Sequence, residues 1–371
     1  LSGGIDSGLI TALASQLETN PIKTYCIGFN DKVFDESDLA RQVADMYNTD
    51  HHRIELNVDE IKEDTVSIVS NYDEPYSAQS ALPTFAVCRL ASTELKVALS
   101  GDGGDEVFSG YRHFVAANVF RKATFNGRVH IGGLMKLLHK FMPVPKHGRS
   151  KYQLLYRLID LYKYEGSEFY FRLIQDRLRE DEKKYLMNVE NKKFSDSLRI
   201  IRELEGQGNF DMLDGIMYKD INHILVDDHL VKADIASMAN TLEVRSPFLD
   251  HTLVEFSARL PSEYRIWGNN TKYLLREIAK KYLPENVCKG SKKGFEIPLL
   301  RWMKHDLADM SNDLIFSSSS LSGQIFSQAA LRELMTGKGY DAKRWAVIIW
   351  MLTCMEIWWM GYKEKIAGRI S

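Results

Sequence analysis

Cysteine is scarce: four residues in 371, far apart at Cys26, Cys88, Cys288 and Cys354. None stands at C-x-x-C spacing, so no disulfide framework or zinc site is on offer, and the pattern is that of a reduced, cytoplasmic protein. An excess of one charge is also lacking, with 48 Lys and Arg against 50 Asp and Glu and a formal net charge of -2. That balance advertises neither a nucleic-acid nor an anionic-membrane partner, and neither is expected. Internal repeats and low-complexity tracts are absent; Ser317–Ser320 is a short loop. The one long apolar stretch, Trp345 to Met360, is interrupted by Thr353 and Glu356. It falls short of the roughly 20 residues that span a bilayer, so a buried helix is expected.

What is present is ample material for a core. Hydrophobic residues make up 44% of the chain, and its length exceeds that of one typical domain. The chain opens on Leu1-Ser2-Gly3-Gly4-Ile5-Asp6-Ser7. Two glycines allow a tight turn, and Ile5, Leu9, Ala12, Leu13 and Leu17 recur at helical spacing, so a helix begins at this loop. A glycine-rich loop feeding a helix N-terminus presents free N–H groups and the positive end of a dipole, which suits phosphate. Asp6 beside phosphates makes sense when a divalent cation lies between them. Taken alone, the loop reads equally well as an ordinary Gly-Gly turn with a capped helix.

Strand and helix signals then alternate. Ile22–Phe29, His52–Leu56 and Lys96–Ser100 read as strands, and Asp38–Tyr47, Val58–Val69 and Pro83–Leu95 as helices. A further strand is expected before Leu1, because the sequence starts inside a motif and an upstream segment is expected with it. Alternation of this kind predicts an α/β fold with a doubly wound parallel sheet, whose ligands lie beyond the carboxyl ends of the strands. From about Phe114 strand signals nearly vanish. Leu134–Phe141, Tyr152–Tyr164, Glu168–Arg179, Phe194–Leu204, Met212–Asp228, Thr271–Tyr282 and Arg344–Met360 read as helices, and Pro143–Ser150 as a loop. The expected organisation is an ATP-binding α/β part over 1–113 and a helical part over 114–371 that completes the site.

A second loop, Ser100-Gly101-Asp102-Gly103-Gly104-Asp105-Glu106, follows a strand signal and precedes a helix signal, as the first does. Its crowded carboxylates raise one another's pKa unless a cation or a substrate amine relieves them. One acidic turn is unremarkable. Two glycine-and-aspartate loops at strand ends of one sheet jointly suggest a Mg²⁺-polyphosphate site.

These residues carry a resemblance. Ser2-Gly3-Gly4-Ile5-Asp6-Ser7 resembles the pyrophosphate-binding PP-loop of ATP pyrophosphatases, and Leu99 through Tyr111 is similar to a hallmark stretch of asparagine synthetases. The likeness continues in Ala236–Ala239, Glu243–Asp250, Thr271–Glu277 and Lys292-Lys293-Gly294-Phe295. Together these blocks resemble the synthetase domain of the glutamine-hydrolysing asparagine synthetase family, which implies a sheet of the adenine nucleotide alpha hydrolase-like type. By that resemblance Leu1, Ile27, Ser100 and Gly101 contact the adenosine part of ATP, and Ser2, Gly3, Gly4 and Ser7 hold the pyrophosphate. Asp6 and Asp105 are implied Mg²⁺ ligands, Asp102 is tied to formation of the acyl-adenylate, and Lys272 touches the α-phosphate. Read without that context, Lys272 is a solvated helix lysine.

The implied reaction joins aspartate and ammonia at the expense of ATP. The aspartate carboxylate attacks the α-phosphorus, pyrophosphate leaves, and ammonia taken from glutamine attacks the acyl-AMP. Asp73-Glu74-Pro75 through Pro83 matches the region near the substrate amino acid, but its interior, Ser77-Ala78-Gln79-Ser80, departs from the commoner pattern and leaves the acceptor carboxylate open. No cysteine here can be the glutaminase nucleophile, so an N-terminal glutaminase domain is expected upstream of Leu1; a homodimer is compatible with the family. β-Lactam synthetases, lasso-peptide cyclases, sugar amidotransferases and, in another class, tRNA-modifying PP-loop enzymes are the alternatives. Arg245 reads as structural more than as a phosphate fork. Adjacent His51 and His52 point opposite ways on a strand, and Trp345, Trp350, Trp358 and Trp359 read as helix packing.

Overall fold

The computed structural model describes every residue except 57, 124–136, 139, 143–150, 163, 175–177, 179, 188–198, 206, 207, 209, 291–296 and 371. The expected loop Pro143–Ser150 lies outside the described residues, as do the family-like stretch Lys292–Phe295 and part of the helices expected at Leu134–Phe141 and Phe194–Leu204.

The first part of the chain alternates as its pattern requires. Helix α1 (Ile5–Leu17) leads to strand β1 (Lys23–Gly28), α2 (Ser37–Met46), β2 (Asp50–Glu55), α3 (Val58–Ser70), α4 (Ala81–Ser92), β3 (Val97–Leu99), the single turn α5 (Gly104–Val107) and α6 (Arg112–Ala123). Strand β1 pairs in parallel with β2, register Lys23 with Asp50 through Gly28 with Glu55. Strand β3 pairs in parallel with β4 (Glu243–Arg245), register Val97 with Glu243 through Leu99 with Arg245. A two-residue antiparallel hairpin joins β5 (Ile266–Trp267) to β6 (Asn270–Thr271). Parallel pairs joined through helices are the α/β arrangement anticipated from the alternation.

Strand β4 corrects the sequence reading. It lies deep in the stretch expected to be helical, yet it is the hydrogen-bonded partner of β3, with Glu243 N donating to Lys96 O and Ser100 N to Arg245 O, both at 2.9 Å. Three residues are too few to show the alternation by which a strand is recognised. The first helix also differs from its pattern. Ile5, Leu9 and Ala12 are buried, whereas Leu13 and Leu17 face solvent.

Two cores matter for the site. In the larger one, Ile27 and Phe29 at the end of β1 meet Ile61 and Ile68 of α3, Leu82 and Ala86 of α4, and Ile348, Ile349, Trp350 and Ile357 of the long helix Ala342–Ile370. That helix runs beyond the stretch read from the sequence. Its span Ala342–Ile366 is long and apolar enough by length and composition to cross a membrane, which corrects the expectation that it falls short. More than half of its most apolar window is nonetheless buried against the rest of the chain. Glu356 within it is buried and accepts backbone N–H bonds from Leu321 at 2.9 Å and Ser322 at 2.5 Å. A buried carboxylate satisfied by backbone donors of its own chain belongs to a protein interior.

The second core joins Ile5, Leu9 and Ala12 of α1 to Val107 and Phe108 after the second loop, to Phe248, and to Leu275 and Ala279 of the helix Tyr273–Ala279. This packing fixes the first loop, the second loop and the segment carrying Lys272 against one another. Linked to the second loop through His229 and Glu106 is an 11-residue π-helix, Asp220–Leu230, continuous with the α-helices Met212–Lys219 and Val231–Met238. The sequence pattern reads as one helix to Asp228; wide turns of this kind are rare and recur at functional sites.

Candidate active site

The first loop needs its glycines for two separate reasons. Gly3 has φ +78°, and a Cβ there would lie 2.8 Å from the Glu36 carbonyl oxygen. Ser7 closes the loop on itself, its Oγ accepting from Ser2 N at 3.0 Å and lying 3.0 Å from Ser2 Oγ. The helix begins after Gly4, which makes no side-chain cap bond to the first turn of this 13-residue helix, and a helix N-terminus of this kind suits an anion. Leu1 is half-buried in the second core, and its amino nitrogen donates to Tyr25 O at 2.8 Å.

The second loop is built to touch the first. A Cβ on Gly101 would come within 2.9 Å of Ser7 N and 3.0 Å of Asp6 Cβ, and one on Gly104 within 3.0 Å of the Asp6 carboxyl carbon. Gly103, at φ +84°, holds the left-handed turn that opens α5. Ser100 Oγ donates to Asp102 Oδ2 at 2.8 Å and lies 3.0 Å from Ser246 Oγ. The two glycine-rich loops, far apart in sequence, therefore form one surface. Ile27, also assigned to the nucleotide, has its side chain buried in the larger core, so anything it offers a ligand comes from its backbone.

Lys272 closes this surface from the second half of the chain. The sequence pattern places it inside a helix; instead it is the N-cap of Tyr273–Ala279 with φ 52° and ψ 39°. A non-glycine residue in that left-handed region is strained by about 1–2 kcal/mol. The side chain is only 3% exposed, and its Nζ lies 2.5 Å from Asp6 Oδ2 and 2.7 Å from Asp105 Oδ1. Gly110, carried in the sequence block but given no role there, lets this happen, because a Cβ would overlap both the Asp105 carboxylate and Lys272 Cε. Asp6 and Asp105 thus converge on one cationic atom. Two hard carboxylates aimed at a single cation, beside a helix N-terminus, suit Mg²⁺ together with a polyphosphate.

Next to this cluster stands a polar network that sequence reasoning missed. Glu106 is 1% exposed and accepts from the Tyr111 hydroxyl, and its Oε1 lies 2.8 Å from His229 Nδ1. Burial pushes the Glu106 carboxyl up, but the hydrogen bond and charge of His229 and the Tyr111 hydroxyl outweigh it and hold the group below its ordinary value. The Tyr111 phenol is driven well above its usual range by burial and by the Glu106 and Asp105 charges. One π-helix turn or more away, Asp220 is fully buried, with His113 Nε2 2.7 Å from one carboxylate oxygen and the Tyr170 hydroxyl donating to the other at 2.7 Å. Glu106 is legible as the last acid of the second loop; no local pattern marks His229, His113 or Asp220 as its companions.

The remaining candidates separate clearly. The acceptor-region segment is clipped to the long C-terminal helix, with Trp350 Nε1 donating to Ser77 O at 3.1 Å and Trp358 Nε1 to Asp73 O at 2.9 Å. Tyr76 stacks on Tyr72 with centroids 4.3 Å apart and donates to Asp228 O at 2.8 Å. The tryptophans therefore pack and position, as their helical spacing suggests. Arg245 is exposed and pairs with Glu243 at 2.7 Å on its own strand. His51 sits 2.8 Å from Thr24 Oγ1 while His52 stacks on Tyr25, and no group of His, Cys, Asp and Glu among the described residues is arranged as a metal cluster.

Comparison with known proteins bears on the same residues. A sequence model described as asparagine synthase matches residues 1–360, which takes in both loops and Lys272. The chain belongs to the asparagine synthase family. Asparagine synthetase (glutamine-hydrolyzing) 1 of Bacillus subtilis is 29% identical over 361 residues, covering 95% of this chain and 55% of that protein. Asparagine synthetase (glutamine-hydrolyzing) 3 of the same organism is 25% identical over 309 residues, covering 80% of this chain and 44% of the relative. The Zea mays enzyme of that name is 35% identical over 127 residues, 31% of this chain and 21% of its own. The chain spans about half the length of the Bacillus relative that it matches most fully. The family domain is a PP-loop α/β fold of ATP-dependent ligases, in keeping with the parallel strand pairs and their loops.

Proposed function

We propose that the chain is the synthetase part of an ATP-dependent amide-forming ligase that makes asparagine from aspartate. The observation that carries this reading is the convergence of Asp6 and Asp105, from two glycine-rich loops, on the buried Lys272 ammonium. Mg²⁺ bound by Asp6 and Asp105 would neutralise charge on the polyphosphate. Ser2, Gly3, Gly4 and Ser7 bind the pyrophosphate through the loop and the helix N-terminus, while Leu1, Ile27, Ser100 and Gly101 contact the adenosine. Lys272 orients the α-phosphate and stabilises the charge that grows on its oxygens as pyrophosphate departs, the larger catalytic effect in such transfers. Asp102, bonded to Ser100, serves the step in which the aspartate carboxylate oxygen displaces pyrophosphate to give the acyl-adenylate.

Ammonia, released from glutamine by a glutaminase domain, then attacks the acyl carbon; AMP leaves and the nitrogen loses a proton. The two parallel strand pairs are read as parts of one doubly wound sheet. Residues 1–113 supply the nucleotide loops and residues 114–371 supply Lys272. A related carboxylate remains the second reading for the acceptor, because Ser77–Ser80 departs from the commoner family pattern. The test is pyrophosphate release by the full-length protein with ATP, Mg²⁺ and aspartate. Aspartate-dependent release supports the assignment; release only with another carboxylate transfers it to that substrate, and none with any carboxylate overturns it.

A further inference from the structure

We propose that the Lys272 ammonium is an internal counter-ion that occupies the place of the divalent cation until ATP arrives, so that metal is admitted with nucleotide and rejected without it. This rests on the reading of Asp6 and Asp105 as the carboxylates that hold the metal. Both meet the same nitrogen at 2.5 and 2.7 Å, in a spot where Lys272 is 3% exposed and water screens the charges little. The ammonium and a metal ion cannot share that spot, and oxygens already gathered round one cation need little rearrangement to hold another.

The backbone makes the arrangement deliberate. Lys272 is held in the left-handed region at a helix cap, and Gly110 leaves room for its Cε against the Asp105 carboxylate. The four-carbon stem leaves the ammonium free to swing while its Cα stays fixed. A free dication would have to expel the ammonium with no anion waiting for it. ATP supplies that anion: its phosphate oxygens receive the displaced ammonium as the accompanying dication takes the two carboxylates. No proton moves in the exchange.

The full-length protein is titrated with Mn²⁺, the free ion being followed by electron paramagnetic resonance, with and without α,β-methylene-ATP. Lys272→Met is compared with Lys272→Asn, the latter chosen because asparagine tolerates the left-handed backbone. The wild type is expected to bind Mn²⁺ at least ~10-fold more weakly without the nucleotide, and both variants to bind free Mn²⁺ ~10-fold more tightly than the wild type. Equal affinity of wild type and variants for free Mn²⁺, or wild-type affinity that does not depend on nucleotide, overturns the exchange while leaving the metal site standing. Failure of the wild type to bind Mn²⁺ even with nucleotide overturns the metal site itself.

Discussion

Asp105 and Glu106 are neighbours in one helical turn, both largely buried, and their surroundings could hardly differ more. Asp105 faces a single ammonium, at the end of a long side chain, that it shares with Asp6. Glu106 is locked by a phenol and an imidazole that are themselves packed against α5, α6 and the π-helix. The first carboxylate has the partner that the proposed exchange would displace; the second ties the same turn to Tyr111 and His229. Charge alone does not distinguish the two carboxylates: the kind of partner does.

That contrast breaks most visibly at Lys272. Lys272→Ala is expected to lower pyrophosphate release at least ~10²–10³-fold, the usual cost of losing a positioned charge at a developing oxyanion. Near-ultraviolet circular dichroism should still report a folded chain, and normal turnover would refute the role. Glu106→Gln should do the opposite in kind. It weakens a buried hydrogen-bonded charge, so urea denaturation should show a loss of about 1–3 kcal/mol of stability, with activity falling less than for Lys272→Ala.

The smallest effect is expected away from both, at His51. Burial first, and then the Arg41 charge, lower its pKa from 6.5 to about 4. The fold therefore accommodates the neutral ring, so its stabilising share is intact above pH 6.5 and declines as the pH falls towards 4, where the unfolded chain takes up the proton first. His51→Gln should flatten that decline in denaturation curves taken at several pH values and leave nucleotide-dependent Mn²⁺ binding unchanged.

The sequence made the two loops, their helices and the parallel pairing of β1 with β2 legible, because glycine positions and hydrophobic spacing are local signals. The part that assembles the site is not local. Lys272 reads as a helix residue, since nothing in Thr271–Glu277 announces that the chain turns left-handed before the helix. Gly110 has meaning only once Asp105 and Lys272 lie beside it. Strand β4 is too short for alternation to show, and His229 acquires its partner through a π-helical turn that shifts its phase. The long C-terminal helix reads as buried from its apolar run, but that run ends at Met360 while the helix continues to Ile370.

The most direct test of the shared site is steady-state release of pyrophosphate and AMP by the full-length protein and its Asp105→Asn variant, supplied with ATP, Mg²⁺, aspartate and ammonia. Equimolar, aspartate-dependent release by the wild type and none by the variant is the expected result. Undiminished release by Asp105→Asn would contradict the convergence of the two loops and Lys272 on one ATP site.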